Sequence, residues 1–385
     1  MKDQTRAGLT AVVRGLVYVA ISLALSALAF QLSGYDAADI LAGIVDGSIT
    51  QPGALAQTLR WMFPLLLVAL GVAVSFRAGY FNIGAQGQLY AGAICAQATV
   101  TATGSWPAPV AIVLTLAAGT IGGALWAAWP GLLRIVWGTD EVITTLMGNF
   151  IAVLLLSYVT SGPLKDPAGS AQATASRPVP DPMRIGDGFT LSPTILAVTA
   201  AVCAVVWWVL NRTSFGVASG LAGRNPVMML WQGARLNRLG LHSFLIGGAL
   251  AGLAGATEIL GPTGRLVSGM DGSIGFTAVT VALVGGLTVF GTVVAAFFFG
   301  ALAASGLFLP LATGLPSAAV DIINAMVALL ITSTFVLRFR RRRASSTAAA
   351  AGGDCAAPER SSARRHRALR PPARASRTGG GPCVT

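Results

Sequence analysis

Runs of apolar residues separated by short polar breaks recur along the whole of the chain up to about residue 337. A membrane-crossing helix needs about 20 mainly apolar residues. Ten stretches meet that requirement, at 11–32, 57–76, 80–103, 108–130, 141–160, 191–210, 241–260, 275–291, 293–310 and 317–337. The pattern predicts an all-α, polytopic membrane helix bundle. The first run is too long, and too weakly followed by small residues, to be a removed signal peptide, so it is counted as a helix.

Within these spans the polar residues are not scattered. In the fifth, Glu141, Thr144, Thr145, Gly148, Asn149 and Ala152 recur every three or four positions, while Val142, Ile143, Leu146, Met147, Phe150 and Ile151 take the opposite side. One face is therefore wet or packed on protein, and the other is apolar. Residues 79–92 read Gly-Tyr-Phe-Asn-Ile-Gly-Ala-Gln-Gly-Gln-Leu-Tyr-Ala-Gly, which places Asn82 and Gln86 on one face of the third span, with Gln88 beside them. Such amides cannot sit against lipid and must face protein or a watery cavity. In the seventh span Gly248, Gly252 and Gly255 form a small-residue stripe of the kind that permits close helix approach, and Glu258 continues it. Asp321 and Asn324 lie three apart at the start of the tenth. The stagger of these groups points to a path through the bundle with candidate lining residues Asn82, Gln86, Gln88, Thr145, Asn149, Glu258 and Asn324. The quieter alternative is that amides tie helices together and that Asp140 and Glu141 are acids favoured at a helix N-terminus.

Composition agrees with a membrane protein: 54% of residues are hydrophobic and 10% are charged. Charge also orients the chain. With the N-terminus inside, fourteen Lys and Arg fall on cytoplasmic positions (Lys2, Arg6, Arg14, Arg77, Arg134, Arg212, Arg224, Arg235, Arg238, Arg338 and the run 340–343), against five outside (Arg60, Lys165, Arg177, Arg184, Arg265). The positive-inside rule thus puts both termini in the cytoplasm. The net charge of +12 is not a nucleic-acid signature, because residues 338–385 hold twelve Arg against Asp354 and Glu359. Residues 1–343 are read as the transmembrane domain, its last arginines an anchor for anionic lipid. Residues 344–385, rich in Arg, Ala, Ser and Pro, are read as a disordered cytoplasmic tail.

Several chemistries are excluded. There is no Gly-x-x-x-x-Gly-Lys-Ser/Thr loop, and Lys2 and Lys165 are the only lysines, so the chain cannot hold ATP phosphates in the P-loop manner. His242 and His366 are the only histidines and the four cysteines have no metal or redox spacing. No nucleophile elbow is evident. No Lys or Arg lies in the middle of a span, which favours a neutral, hydroxyl-rich solute over an anion.

The connection 211–240 holds Ala-Gly-Arg-Asn-Pro-Val-Met-Met-Leu-Trp-Gln-Gly-Ala-Arg. Asn225 suits an N-cap, Pro226 a first helical position and Gly233 a helix end, with Arg224 just before. A short capped helix here is a docking knob, or else an interfacial helix resting on lipid.

Four segments resemble the inner-membrane permease subunits of bacterial ABC importers for nucleosides and simple sugars: 76–88, 140–152, 223–226 with Gly233, and 248–261. The first two, and the long outer loop at 161–190, are similar to the nucleoside branch. That branch usually carries Glu at the position of Gln86 and Asn at that of Asp140. The resemblance implies a bacterial plasma-membrane transport subunit, not an enzyme, that bears no cofactor of its own. It also implies an ATP-binding partner subunit carrying ATP and Mg and gripping residues 224–233, a second permease subunit, and an extracytoplasmic solute-binding lipoprotein. A simple-sugar permease, and from another class a proton-coupled secondary carrier using Glu258 or Asp321, are the alternatives.

Overall fold

The computed structural model describes residues 35–168, 174–185, 192–270 and 273–313, with single positions or short stretches at 17–32 and 322–326. Its elements are α1 (Ala37–Val45), a π-turn at Asp46–Thr50, α2 (Ala54–Arg77), α3 (Ala85–Thr103), α4 (Ala108–Trp137), α5 (Glu141–Ser161), α6 (Pro193–Arg212), α7 (Ser214–Arg224), α8 (Pro226–Trp231), α9 (Leu236–Leu260), α10 (Ile274–Val284) and α11 (Val289–Thr313). Among the described residues there is no strand, only the isolated bridges Lys165 to Ser176 and Ala175 to Val267.

Six of these helices are long and apolar enough to cross a membrane: α2, α4, α5, α6, α9 and residues 289–306 of α11. The described helices depart from the expected spans at two places. Residues 275–291 do not form one span, because α10 stops after eleven residues and the chain turns through Gly286 and Leu287, both with positive φ. The third expected span begins at Ala85, not at 80. Its glutamines and threonines also leave α3 outside the set that length and hydropathy qualify. Nearly half of the expected first span, nearly all of the tenth, and the tail lie outside the described residues.

α2 and α9 are the buried centre. Every residue from Met62 to Ser75 on α2 is buried, and α2 packs on α9, α10 and α11. Outer helices keep an apolar side exposed, as sequence periodicity predicts for α5: Ile143, Met147, Phe150 and Ile151 are exposed, while Glu141, Thr145, Gly148, Asn149 and Ala152 are buried. An exposed greasy face of this kind is satisfied by lipid.

What brings α3, α4 and α9 together is the absence of side chains. A Cβ added at Gly252 would fall on the Gly119 carbonyl, one at Gly123 on the Gly248 carbonyl, one at Gly92 on Gly252, and one at Gly255 on the Leu89 carbonyl. The stripe seen in the sequence therefore does bring backbones into contact, and van der Waals contact between backbones replaces the hydrophobic drive that lipid removes. Gly252→Leu is expected to cost about 3 kcal/mol or more, seen as a lower thermal midpoint and loss of the monodisperse peak in detergent. Gly104→Ala, at a helical φ of −59° and with no neighbour nearer than 3.5 Å to the added methyl, is expected to leave both unchanged.

Candidate functional site

The polar residues singled out by the sequence meet mainly at one place, the start of α3. α2 ends at Arg77, Gly79 turns the chain at a φ of +85°, and residues 80–83 are not helical. Asn82 thus stands in the loop before α3 and does not share a helical face with Gln86, because an Asn two residues before a glycine favours a local turn over helix. Its Oδ1 accepts from the Gly84 N–H at 3.1 Å and from Gln88 Nε2 at 3.0 Å, and its Nδ2 donates to Gln88 Oε1 at 3.2 Å. The two amides close a reciprocal pair.

The first N–H groups of a helix have no partner inside it, and Gly84 supplies no side-chain cap to α3. The cap arrives from α5: Asn149 Oδ1 accepts from the Gly87 N–H at 2.8 Å, and its Nδ2 donates to the Ile83 carbonyl at 3.0 Å. α10 is treated in the same way, for Gln86 Oε1 accepts from the Gly275 N–H at 2.6 Å. Thr145 is buried beside this cluster with its hydroxyl turned back to the Glu141 carbonyl at 2.7 Å, while its Cβ lies where a side chain on Gly84 would go. Asn82, Gln86, Gln88, Thr145 and Asn149 are all at most 4% exposed.

Glu258 belongs to a different group. It is 4% exposed, lies 3.5 Å from Arg60 Nη2, and accepts from Thr263 Oγ1 at 2.9 Å. Arg60 in turn lies 4.7 Å from the centre of the Trp61 ring. Position along α2 separates this group from Arg77 by about 25 Å at 1.5 Å per residue. The sequence did not single out Arg60, Trp61 or Thr263: Arg60 read as an outer-loop charge, and only the fold sets it against Glu258. Asn324 and Asp321 lie outside the described residues.

At the Arg77 end, the connection carries two helices. Asn225 Oδ1 caps α8 through the Met228 N–H at 3.0 Å, Pro226 takes the first position, and Gly233 turns the chain at a φ of +76° with nothing within 4 Å of an added Cβ. Met229 faces inward, while Val227, Met228, Leu230 and Trp231 are exposed, Trp231 at 87%. Arg224, Asn225 and Pro226 are exposed as well. Behind this knob, Tyr80 donates its hydroxyl to the Leu236 carbonyl at 3.0 Å, and its ring sits where a Cβ on Gly240 would go. Loop 78–84, which carries Asn82, is therefore fastened directly to the start of α9. At the same end Arg134 pairs with Glu141 at 3.1 Å, and Asp140 caps α5 through the Val142 N–H, the helix-terminus role that their positions in sequence allowed.

The family model described as branched-chain amino acid transport system / permease component matches residues 54–337. A guanosine ABC transporter permease of Bacillus subtilis is 35% identical, covering 84% of this chain and 94% of the relative. A glucose ABC transporter permease of Haloferax volcanii is 33% identical, covering 84% and 87%. A nucleoside ABC transporter permease of Lactococcus lactis is 28% identical, covering 84% and 91%. No solved structure matches. A multi-pass bundle of apolar helices, glycine-locked at its centre and matched by the family model over most of its length, is a transport component and not an enzyme: the chain belongs to the permease-component family of ABC transporters.

Proposed function

We propose that this chain is one of two permease subunits of an ATP-driven importer of nucleosides in a bacterial plasma membrane, with both termini cytoplasmic. The observation that carries the substrate reading is the guanosine permease, the relative that matches at 35% identity over nearly its full length. It is joined by the nucleoside permease of Lactococcus lactis. Site chemistry supports a neutral solute, because the buried carboxylate of Glu258 is already balanced by Arg60. The glucose permease of Haloferax volcanii favours a second reading, a hexose in place of a nucleoside.

In this reading Glu258 borders the path. Asn82, Gln86, Gln88, Thr145 and Asn149 form its wall by fixing the starts of α3 and α10. An ATPase subunit, which carries ATP and Mg, seats on the exposed apolar tip of α8 between Arg224 and Gly233. The fastening of loop 78–84 to α9 then gives movement at α8 a route toward the amide cluster. An extracytoplasmic binding lipoprotein delivers solute at the opposite end, where Glu258 lies. ATP does work only through differential contacts with two states of the bundle.

Proteoliposomes holding the assembled complex are expected to accumulate labelled guanosine in preference to glucose, and only with ATP on the ATPase side. Accumulation of neither solute overturns the reading, and accumulation of glucose alone selects the second. In the same assay Glu258→Gln is expected to lower uptake about tenfold, the effect of one charged hydrogen-bonding group, with expression and ATPase assembly unchanged. Gly233→Asp, which forces a side chain onto a left-handed backbone at the end of α8, is expected to leave ATP hydrolysis running while uptake falls to background; wild-type coupling would remove α8 from the docking role.

A further inference from the structure

Near the N-terminal end of α2, beside the Arg60–Glu258 pair, two buried polar side-chain atoms are left without a hydrogen-bond partner: Gln57 Oε1 and Trp61 Nε1. Gln57 is 8% exposed. The residues are four apart, so they share one face of the helix, and Arg60 between them reaches both the Trp61 ring, at 4.7 Å, and Glu258, at 3.5 Å. A buried donor or acceptor left unsatisfied is costly, and proteins rarely retain one without a use. Here an acceptor and a donor remain unused on one helical turn, next to a carboxylate.

We propose that Gln57, Trp61 and Glu258 form a solute-recognition site at the end of the bundle opposite α8, with Arg60 as its positioning residue. The inference rests on the reading of this chain as a solute permease and names where and how the solute is held. Glu258 accepts from a vicinal diol, the Trp61 indole N–H donates to a ring or carbonyl acceptor, and the Gln57 amide oxygen accepts from an N–H or O–H. Arg60 lies against the Trp61 ring and balances Glu258, so the carboxylate meets the ligand as half of a neutral pair, which suits an uncharged ligand. A vicinal diol with one further donor and one further acceptor is common to ribonucleosides and hexoses. Thr263 fixes the carboxylate from the loop after α9, through its 2.9 Å hydrogen bond.

The test uses Trp61→Phe, which removes the N–H while keeping an aromatic ring, and Gln57→Leu, which removes the amide at similar volume. Binding of labelled guanosine and labelled glucose to the assembled complex in lipid nanodiscs is measured with ATP-driven uptake and thermal unfolding. Each variant is expected to weaken binding of the transported solute about fivefold or more, the effect of one hydrogen bond. Thermal midpoints are expected to stay level or rise, since an orphaned polar group has been removed. Which solute loses affinity separates the nucleoside from the hexose. Unchanged affinity in both variants, with wild-type uptake intact, overturns the site alone. A lowered thermal midpoint in both also overturns it, by showing that the two groups are structural. Absence of wild-type binding and uptake for both solutes overturns the nucleoside and hexose readings, and the site with them.

Discussion

Inside an apolar bundle no water is present to satisfy the N–H groups at the start of a helix, and this one constraint shapes the centre of the molecule. Among the helices that begin without a side-chain cap of their own are α3, after Gly84, and α10, after Ser273. Each is capped by an amide from elsewhere in the chain: Asn149 of α5 serves Gly87, and Gln86 of α3 serves Gly275. The amides that give this sequence its polar signature are therefore structural first. They let the chain turn and restart inside the bundle, which a continuous apolar span could not do.

The second organising element is the contact of α3, α4 and α9 through glycine. Residues 92, 119, 123, 248, 252 and 255 leave no room for a side chain, so these three helices behave as a block whose surfaces fit in one register. The polar groups lie at its two ends. Loop 78–84 and the start of α3 lie beside α7 and α9, where Tyr80 and Ser75 hydrogen-bond to carbonyls of Leu236 and Ser243. Glu258 and Arg60 lie at the other end. A rigid block with a chemically active group at each end is suited to transmit displacement, because interfaces locked this tightly shift between arrangements and do not deform gradually.

How much of the site could be read from sequence varied by residue. Asn225, Pro226 and Gly233 announced a capped helix, and the fold has it, because cap and stop signals act on neighbours in the chain. Gly248, Gly252 and Gly255 announced close approach for the same reason, although the partners on α4 were not visible. Asn82 was misplaced: its helical spacing from Gln86 looked like one face, but the hydrogen bond to Gly84 holds it in a loop. Asn149 was found as a polar residue on a packed face, whereas its use as a cap for α3 depends on a residue 62 positions away. Arg60 gave no signal, since a charge near the end of an apolar run reads as a boundary marker until Glu258 is placed beside it.

The sequence by itself determined the class of protein, the packed and apolar sides of α5 and the short helix at 226–231, because hydrophobic period, length and capping residues act locally. Only the tertiary structure decided where helices stop and restart, which amide serves which backbone, and that Glu258 faces Arg60. Those choices depend on which segments meet, and meeting is governed by glycine contacts and unsatisfied N–H groups far apart in the chain, to which no local pattern is sensitive.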